Sequence, residues 1–175
     1  MDGYRGILTP VDVVWGLGAK YCVRQDAHAF MWLWGLFLGF AGAAFIVFRR
    51  RRRFEAALLL FFAFCTGALG LGIFYACYAS APYSMGLGAP GISAVSLTAL
   101  MCLSQGAFTL AFLWTAIALP CSAALGLVAW GRSGGKPAAL RACLYAGAAL
   151  LLLFASTNGF VAFFDFSWCW SRRLF

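Results

Sequence analysis

Long uncharged apolar stretches, separated by short polar or glycine-rich ones, organise this chain. Residues 29–48 carry no charged side chain and end at a run of arginines; residues 56–79 are again uncharged. A membrane-spanning helix needs about 20 apolar residues, and both stretches reach that length. Only Arg49, Arg50, Arg51, Arg52, Arg53, Phe54 and Glu55 stand between them. The pair therefore predicts a tight antiparallel helical hairpin. Residues 80–92, with Pro82, Pro90 and glycines at 86, 88 and 91, predict a loop.

Residues 95–130 are apolar throughout. As one helix they would measure about 54 Å, against a hydrocarbon core of about 30 Å. Pro120 predicts where the excess is shed. The third span is expected over residues 95–119, with residues 121–130 running on, kinked, into the interface. Residues 131–137 predict a loop, and residues 138–164 the fourth span. Ahead of the first span, Thr9-Pro10 followed by Val11, Val13, Val14, Trp15 and Leu17 predicts a helix of about two turns. That is too short to cross, so residues 1–28 are expected to form an interfacial segment. The expected fold is all-α: an integral membrane four-helix bundle with four transmembrane helices, a short N-terminal interfacial helix and one domain over residues 1–175.

Composition narrows the class. Of 175 residues, 64% are hydrophobic and 10% charged, whereas soluble domains are roughly 45–50% apolar and 25% charged. Disorder and a water-soluble globular domain are excluded. The net charge of +8 does not point to nucleic acid, because it is concentrated beside apolar segments. The loops at 49–55 and 131–137, with Arg141 just inside the fourth span, hold eight basic residues against Glu55, a net of +7; the other side holds Arg5, Lys20, Arg24, Arg172 and Arg173 against Asp2, Asp12, Asp26 and Asp165, a net of +1. The positive-inside rule then sets both termini opposite the arginine run. The first apolar stretch is too long for a signal-peptide core, so no cleaved leader is expected. A mitochondrial inner membrane is the favoured location.

Candidate chemistry is sparse. The interiors of the four stretches contain no ionisable side chain, whereas pumps, secondary transporters and intramembrane proteases mark their paths with such groups. His28 is the single histidine and is expected to be an interfacial polar residue. No metal and no cofactor are expected. The seven cysteines, at 22, 65, 77, 102, 121, 143 and 169, form no CxxC. Cys22, Cys77, Cys102 and Cys169 gather toward the side of the termini, where an oxidising compartment would permit disulfides. Cys22 with Cys169 is the candidate that staples the two ends; the alternative is cysteine as a small apolar residue.

Small residues recur every four positions: Gly35, Gly39 and Ala43; Ala68, Gly72, Ala76 and Ser80; Ala107, Ala111 and Thr115; Ala142 and Ala146. Such seams allow helices to approach closely in lipid. Gln105 and Asn158 are candidate interhelical glue. Trp32, Trp34, Trp130, Trp168 and Trp170 sit at belt positions. Arg49, Arg50, Arg51, Arg52 and Arg53 exceed what orientation requires. They are the candidate site for an anionic lipid such as cardiolipin, or for an acidic neighbouring subunit. The function expected is that of a non-catalytic accessory subunit of a larger membrane complex. An energy-transducing assembly of the respiratory or ATP synthase type is favoured; the alternative is a self-standing tetraspan scaffold or channel-like oligomer.

Overall fold

A computed structural model of the chain describes residues 18–84 and 93–174. These form five helices: α1 Gly18–Arg49, α2 Arg53–Ser84, α3 Ala94–Gln105, α4 Ala107–Arg132 and α5 Ala138–Leu174. All but α3 are long and apolar enough to cross a membrane. The chain is thus an all-α four-helix membrane bundle with one additional short helix. Of the interfacial segment expected over residues 1–28, residues 1–17 fall outside the described residues, while residues 18–28 form no separate element and run straight into the first spanning helix as part of α1.

The apolar stretch at 95–130 breaks at Gly106 and not at Pro120, which corrects the expected third span. Ser93 caps α3, its hydroxyl accepting from the Ser96 N–H at 3.1 Å. The helix closes where the Gly106 N–H donates to the Cys102 carbonyl at 3.0 Å. A Cβ on residue 106 would stand 3.1 Å from that carbonyl oxygen, so glycine is what permits so tight a junction. The crossing helix is α4, and Pro120 lies inside it.

Proline removes one backbone donor and leaves the carbonyl four residues earlier unpaired, here that of Ala116. The structure supplies a replacement. The Asn158 side-chain amide on α5 donates to the Ala116 carbonyl at 3.4 Å, and also to its own Phe154 carbonyl at 2.8 Å. Membrane helices tolerate proline when a neighbour satisfies the freed group in this way. Gln105 does not join Asn158; it accepts from Arg173 at the far end of α5. Asn158→Leu is expected to weaken the α4–α5 contact by about 0.5–1.5 kcal/mol. In a double-mutant cycle followed by unfolding in detergent, Pro120→Ala should abolish most of that loss; an unchanged loss would show that Asn158 does not serve the proline.

The helices pair as two hairpins, α1 with α2 and α4 with α5, and α4 also lies against both α1 and α2. The short α3 bridges α2 and α5, while among the described residues α5 touches only α3 and α4. One core cluster joins Ala29 and Leu33 of α1, Ile73 and Cys77 of α2, and Ala107 and Ala111 of α4. A second joins Phe40, Ala63 and Ala118. Glycine allows the α1–α2 approach, since a Cβ on Gly67 would stand 3.2 Å from the Phe37 ring. Thr66, wholly buried, accepts from the Trp114 indole N–H at 2.8 Å and donates to the Phe62 carbonyl at 2.6 Å, linking α4 to α2.

The face that each helix turns inward differs from the small-residue seam in the first and fourth spans, whereas the second seam turns inward toward its end, with Ala76 wholly buried and Gly72 and Ser80 half-buried. Ala107 and Ala111 are buried, but Gly35, Gly39, Ala68, Ala142 and Ala146 are exposed. Helix α5 instead buries a seven-residue repeat, Leu144, Ala148 and Ala155 fully, with Leu151, Asn158 and Ala162 half-buried between and beyond them.

At 37 residues, α5 is about 55 Å long and overruns a roughly 30 Å hydrocarbon core. Its far end docks on α3. Cys169 is disulfide-bonded to Cys102, with Cα atoms 5.8 Å apart, and Arg173 donates to Gln105 and, at 3.1 Å, to the Met101 sulfur. A sulfur makes one such bond, so this pairing replaces the expected Cys22–Cys169 staple. The side chain of Cys22 lies outside the described residues, as does that of His28.

Candidate lipid site at the arginine end

The turn between α1 and α2 is built by arginines alone. The Arg52 N–H donates to the Val47 carbonyl at 3.4 Å and the Arg51 N–H to the Phe48 carbonyl at 2.9 Å. This is the Schellman closure of a helix C-terminus, which requires a left-handed residue at the position Arg51 occupies. Arg51 adopts φ 60°, where glycine is at ease and a residue with a Cβ is disfavoured by about 1–2 kcal/mol. An arginine is held there against local preference.

The five arginines separate by geometry. The Arg49 guanidinium lies 5.2 Å from the centre of the Phe45 ring, on the outer face of α1. Arg50 and Arg52 lie on the side facing α4. There they line a groove of about 340 Å³, together with Val47, Glu55 and Leu59 of the first hairpin and Ser122, Leu125, Gly126, Ala129 and Trp130 of α4. Arg49, Arg51 and Arg53 are not part of its wall. Glu55 sits in the first turn of α2, where a carboxylate is favoured by the helix dipole.

Trp130 is fixed at the rim. Its carbonyl accepts from the Ser133 N–H at 3.2 Å, the Ser133 hydroxyl at 2.7 Å and the Lys136 ammonium at 2.8 Å. The same ammonium lies 5.0 Å from the centre of the Trp130 ring. Ser122 is already engaged, its hydroxyl donating to the Leu119 carbonyl at 2.8 Å. The wall therefore combines two arginines and one glutamate with the apolar Val47, Leu59, Leu125 and Ala129.

The α4 side of this groove was not visible in the sequence. Residues 121–130 read there as a kinked tail, whereas the continuous helix through Pro120 sets them opposite the arginine turn. At the opposite end, Trp32 donates from its indole to the Thr115 hydroxyl at 2.8 Å, so it ties α1 to α4 and is more than a belt residue. Among the described residues no three histidine, cysteine, aspartate or glutamate side chains come together as a metal site would require.

Fold and hydropathy together define a multi-pass membrane protein. No protein-family model, no characterised protein and no solved structure matches the chain.

Proposed function

We propose that the protein is a non-catalytic accessory subunit of a larger membrane complex, packing against neighbouring helices and holding lipid. The outward small-residue face of α1 carries this reading. Nothing lies within 4 Å of a Cβ built on Gly35 or on Gly39, and Gly35 borders an open recess with Met31, Trp32 and Leu36. Close helix approach in lipid depends on such small residues, and among the described residues none packs against these two. A helix of another subunit is the partner they suit.

Two independent features support one orientation. The positive-inside rule puts the arginine turn on the inner side. The Cys102–Cys169 disulfide lies at the other end of the bundle, and disulfides persist in oxidising compartments. In the mitochondrial inner membrane, the location proposed, the arginines face the matrix and the termini the intermembrane space. An energy-transducing complex is the proposed host.

Mild solubilisation followed by native sizing tests the proposal. The protein should co-migrate in fixed ratio within a large hetero-complex. Gly35→Leu with Gly39→Leu should release it while leaving its own unfolding within about 0.5 kcal/mol of wild type, since both sites face open space. Migration of the wild type as a small homo-oligomer would overturn the proposal in favour of a self-standing tetraspan scaffold.

A further inference from the structure

The groove at the arginine turn has the form of a site for one lipid molecule. We infer that a single anionic glycerophospholipid lodges there, its phosphate between Arg50 and Arg52 and one acyl chain along Val47, Leu59, Leu125 and Gly126. The inference rests on the lipid-facing role of the arginine end proposed above, and adds to it which arginines act and where the chain lies.

Charge and depth both point to this occupant. Arg50, Arg52 and Glu55 are the charged residues among those lining the groove, a balance of one net positive charge for one phosphodiester. Guanidinium forks are well matched to phosphate oxygens. From Trp130 to Ser122 the groove follows α4 for about 12 Å, down from the interface into the depth of the hydrocarbon. An acidic peptide could meet the arginines but would set its polar backbone against the apolar wall, where unpaired backbone groups are costly. The volume, about 340 Å³, is at the low end of ligand clefts. It accommodates a headgroup and the upper part of one chain, with the rest of the lipid in the bilayer.

Gly126 makes the apolar wall testable. Among the described residues a Cβ there would meet no atom within 4 Å, so the glycine does not serve packing between the described helices. A larger side chain would fill the groove, and leaving glycine would raise helix propensity.

The test uses the full-length protein, delipidated in detergent and titrated with phosphatidylglycerol or with phosphatidylcholine of the same chains, read by native mass spectrometry. One phosphatidylglycerol should bind in preference to phosphatidylcholine. Arg50→Gln with Arg52→Gln should weaken it about tenfold or more, as the loss of charge-assisted hydrogen bonds implies. Gly126→Leu should weaken it comparably with both arginines intact. Arg51→Gly, which removes one positive charge and relieves the left-handed strain, should leave binding within about twofold. Inorganic phosphate should not displace the lipid, because it lacks the chain.

Three results would overturn the inference: equal loss from Arg49→Gln with Arg53→Gln, unchanged binding in Gly126→Leu, or displacement by phosphate. Each variant's thermal unfolding is followed alongside, so that loss of fold is told apart from loss of the site. Native size is read separately. A homo-oligomer that retains its lipid would remove the accessory-subunit reading and leave the lipid site standing.

Discussion

Leu33→Ala is expected to lower the stability of the bundle by about 2–3 kcal/mol, the lower part of the range for truncating a buried leucine. Leu33 is 1% exposed and sits where α1, α2 and α4 meet, enclosed by Ala29, Ile73, Cys77, Ala107 and Ala111, with Leu69 and Trp114 packed against the cluster. Several of these neighbours are alanines whose Cβ atoms are fixed by their helices, so they cannot move in to fill the space. The lower part of the range applies because the reference state is in lipid. When membrane helices separate, a leucine passes from protein to acyl chains that are equally apolar, and only the packing contribution is lost. Leu38→Ala is the matched control. It lies on the outer face of α1, 65% exposed, and should change stability by less than about 0.5 kcal/mol. Reversible unfolding in mixed detergent micelles measures both. Equal effects would show that Leu33 is not at a helix junction.

Breaking the Cys102–Cys169 disulfide should have an effect of similar size. The bond closes a loop over a sequence separation of 67, for which chain-entropy arguments give about 4 kcal/mol. The figure expected here is about 2 kcal/mol. The closed segment contains the α4–α5 hairpin, and in a membrane that hairpin stays helical after tertiary contacts are lost, which restricts the open chain already. Cys102→Ser and Cys169→Ser, singly, should each reproduce the effect of a reducing agent, and reduction of either variant should add nothing. The local consequence is sharper than the global one. With α3 then held to α5 by packing and by Arg173 on Gln105 and Met101 but no longer by a covalent bond, amide exchange in α3 should accelerate while exchange in the α1–α2 hairpin stays as it was. A reducing agent without effect on wild-type unfolding would show that the bond adds no stability.

The expectations that held are those set by the bilayer acting on one segment at a time. The first hairpin follows from two uncharged stretches and seven residues between them. In the structure α1 ends at Arg49 and α2 starts at Arg53. The loop is expected from residue 80, but α2 continues through Pro82 to Ser84; residues 85–92 lie outside the described residues. The candidate site was half legible. The arginine run announced itself, but nothing in its spacing singled out Arg50 and Arg52, and the opposite wall required knowing that α4 stays helical beyond Pro120.

Which face of each helix turns inward was not legible, and the reason is general to membrane proteins. In water the apolar stripe of a helix seeks the core, so periodicity reports burial. In lipid the surroundings are as apolar as the core, and leucine or phenylalanine is at home on either side. Leu33 and Phe40 are buried while Leu38 and Phe45, on the same helix, are exposed. Small-residue spacing is no better a guide, since Gly35 and Gly39 face outward and Gly67 and Gly70 meet α1.

The sequence by itself determined that this is a membrane protein, how many times its helices can cross, and where its positive charge is concentrated, because hydrophobic length and charge are judged residue by residue against the bilayer. Tertiary structure alone decided the inward faces, the break at Gly106, the repair of Pro120 by Asn158, the partner of Cys169 and the groove below Arg50 and Arg52. Each of these depends on two distant segments meeting, and in a solvent as apolar as the core no pattern along a single helix records which neighbour it will meet.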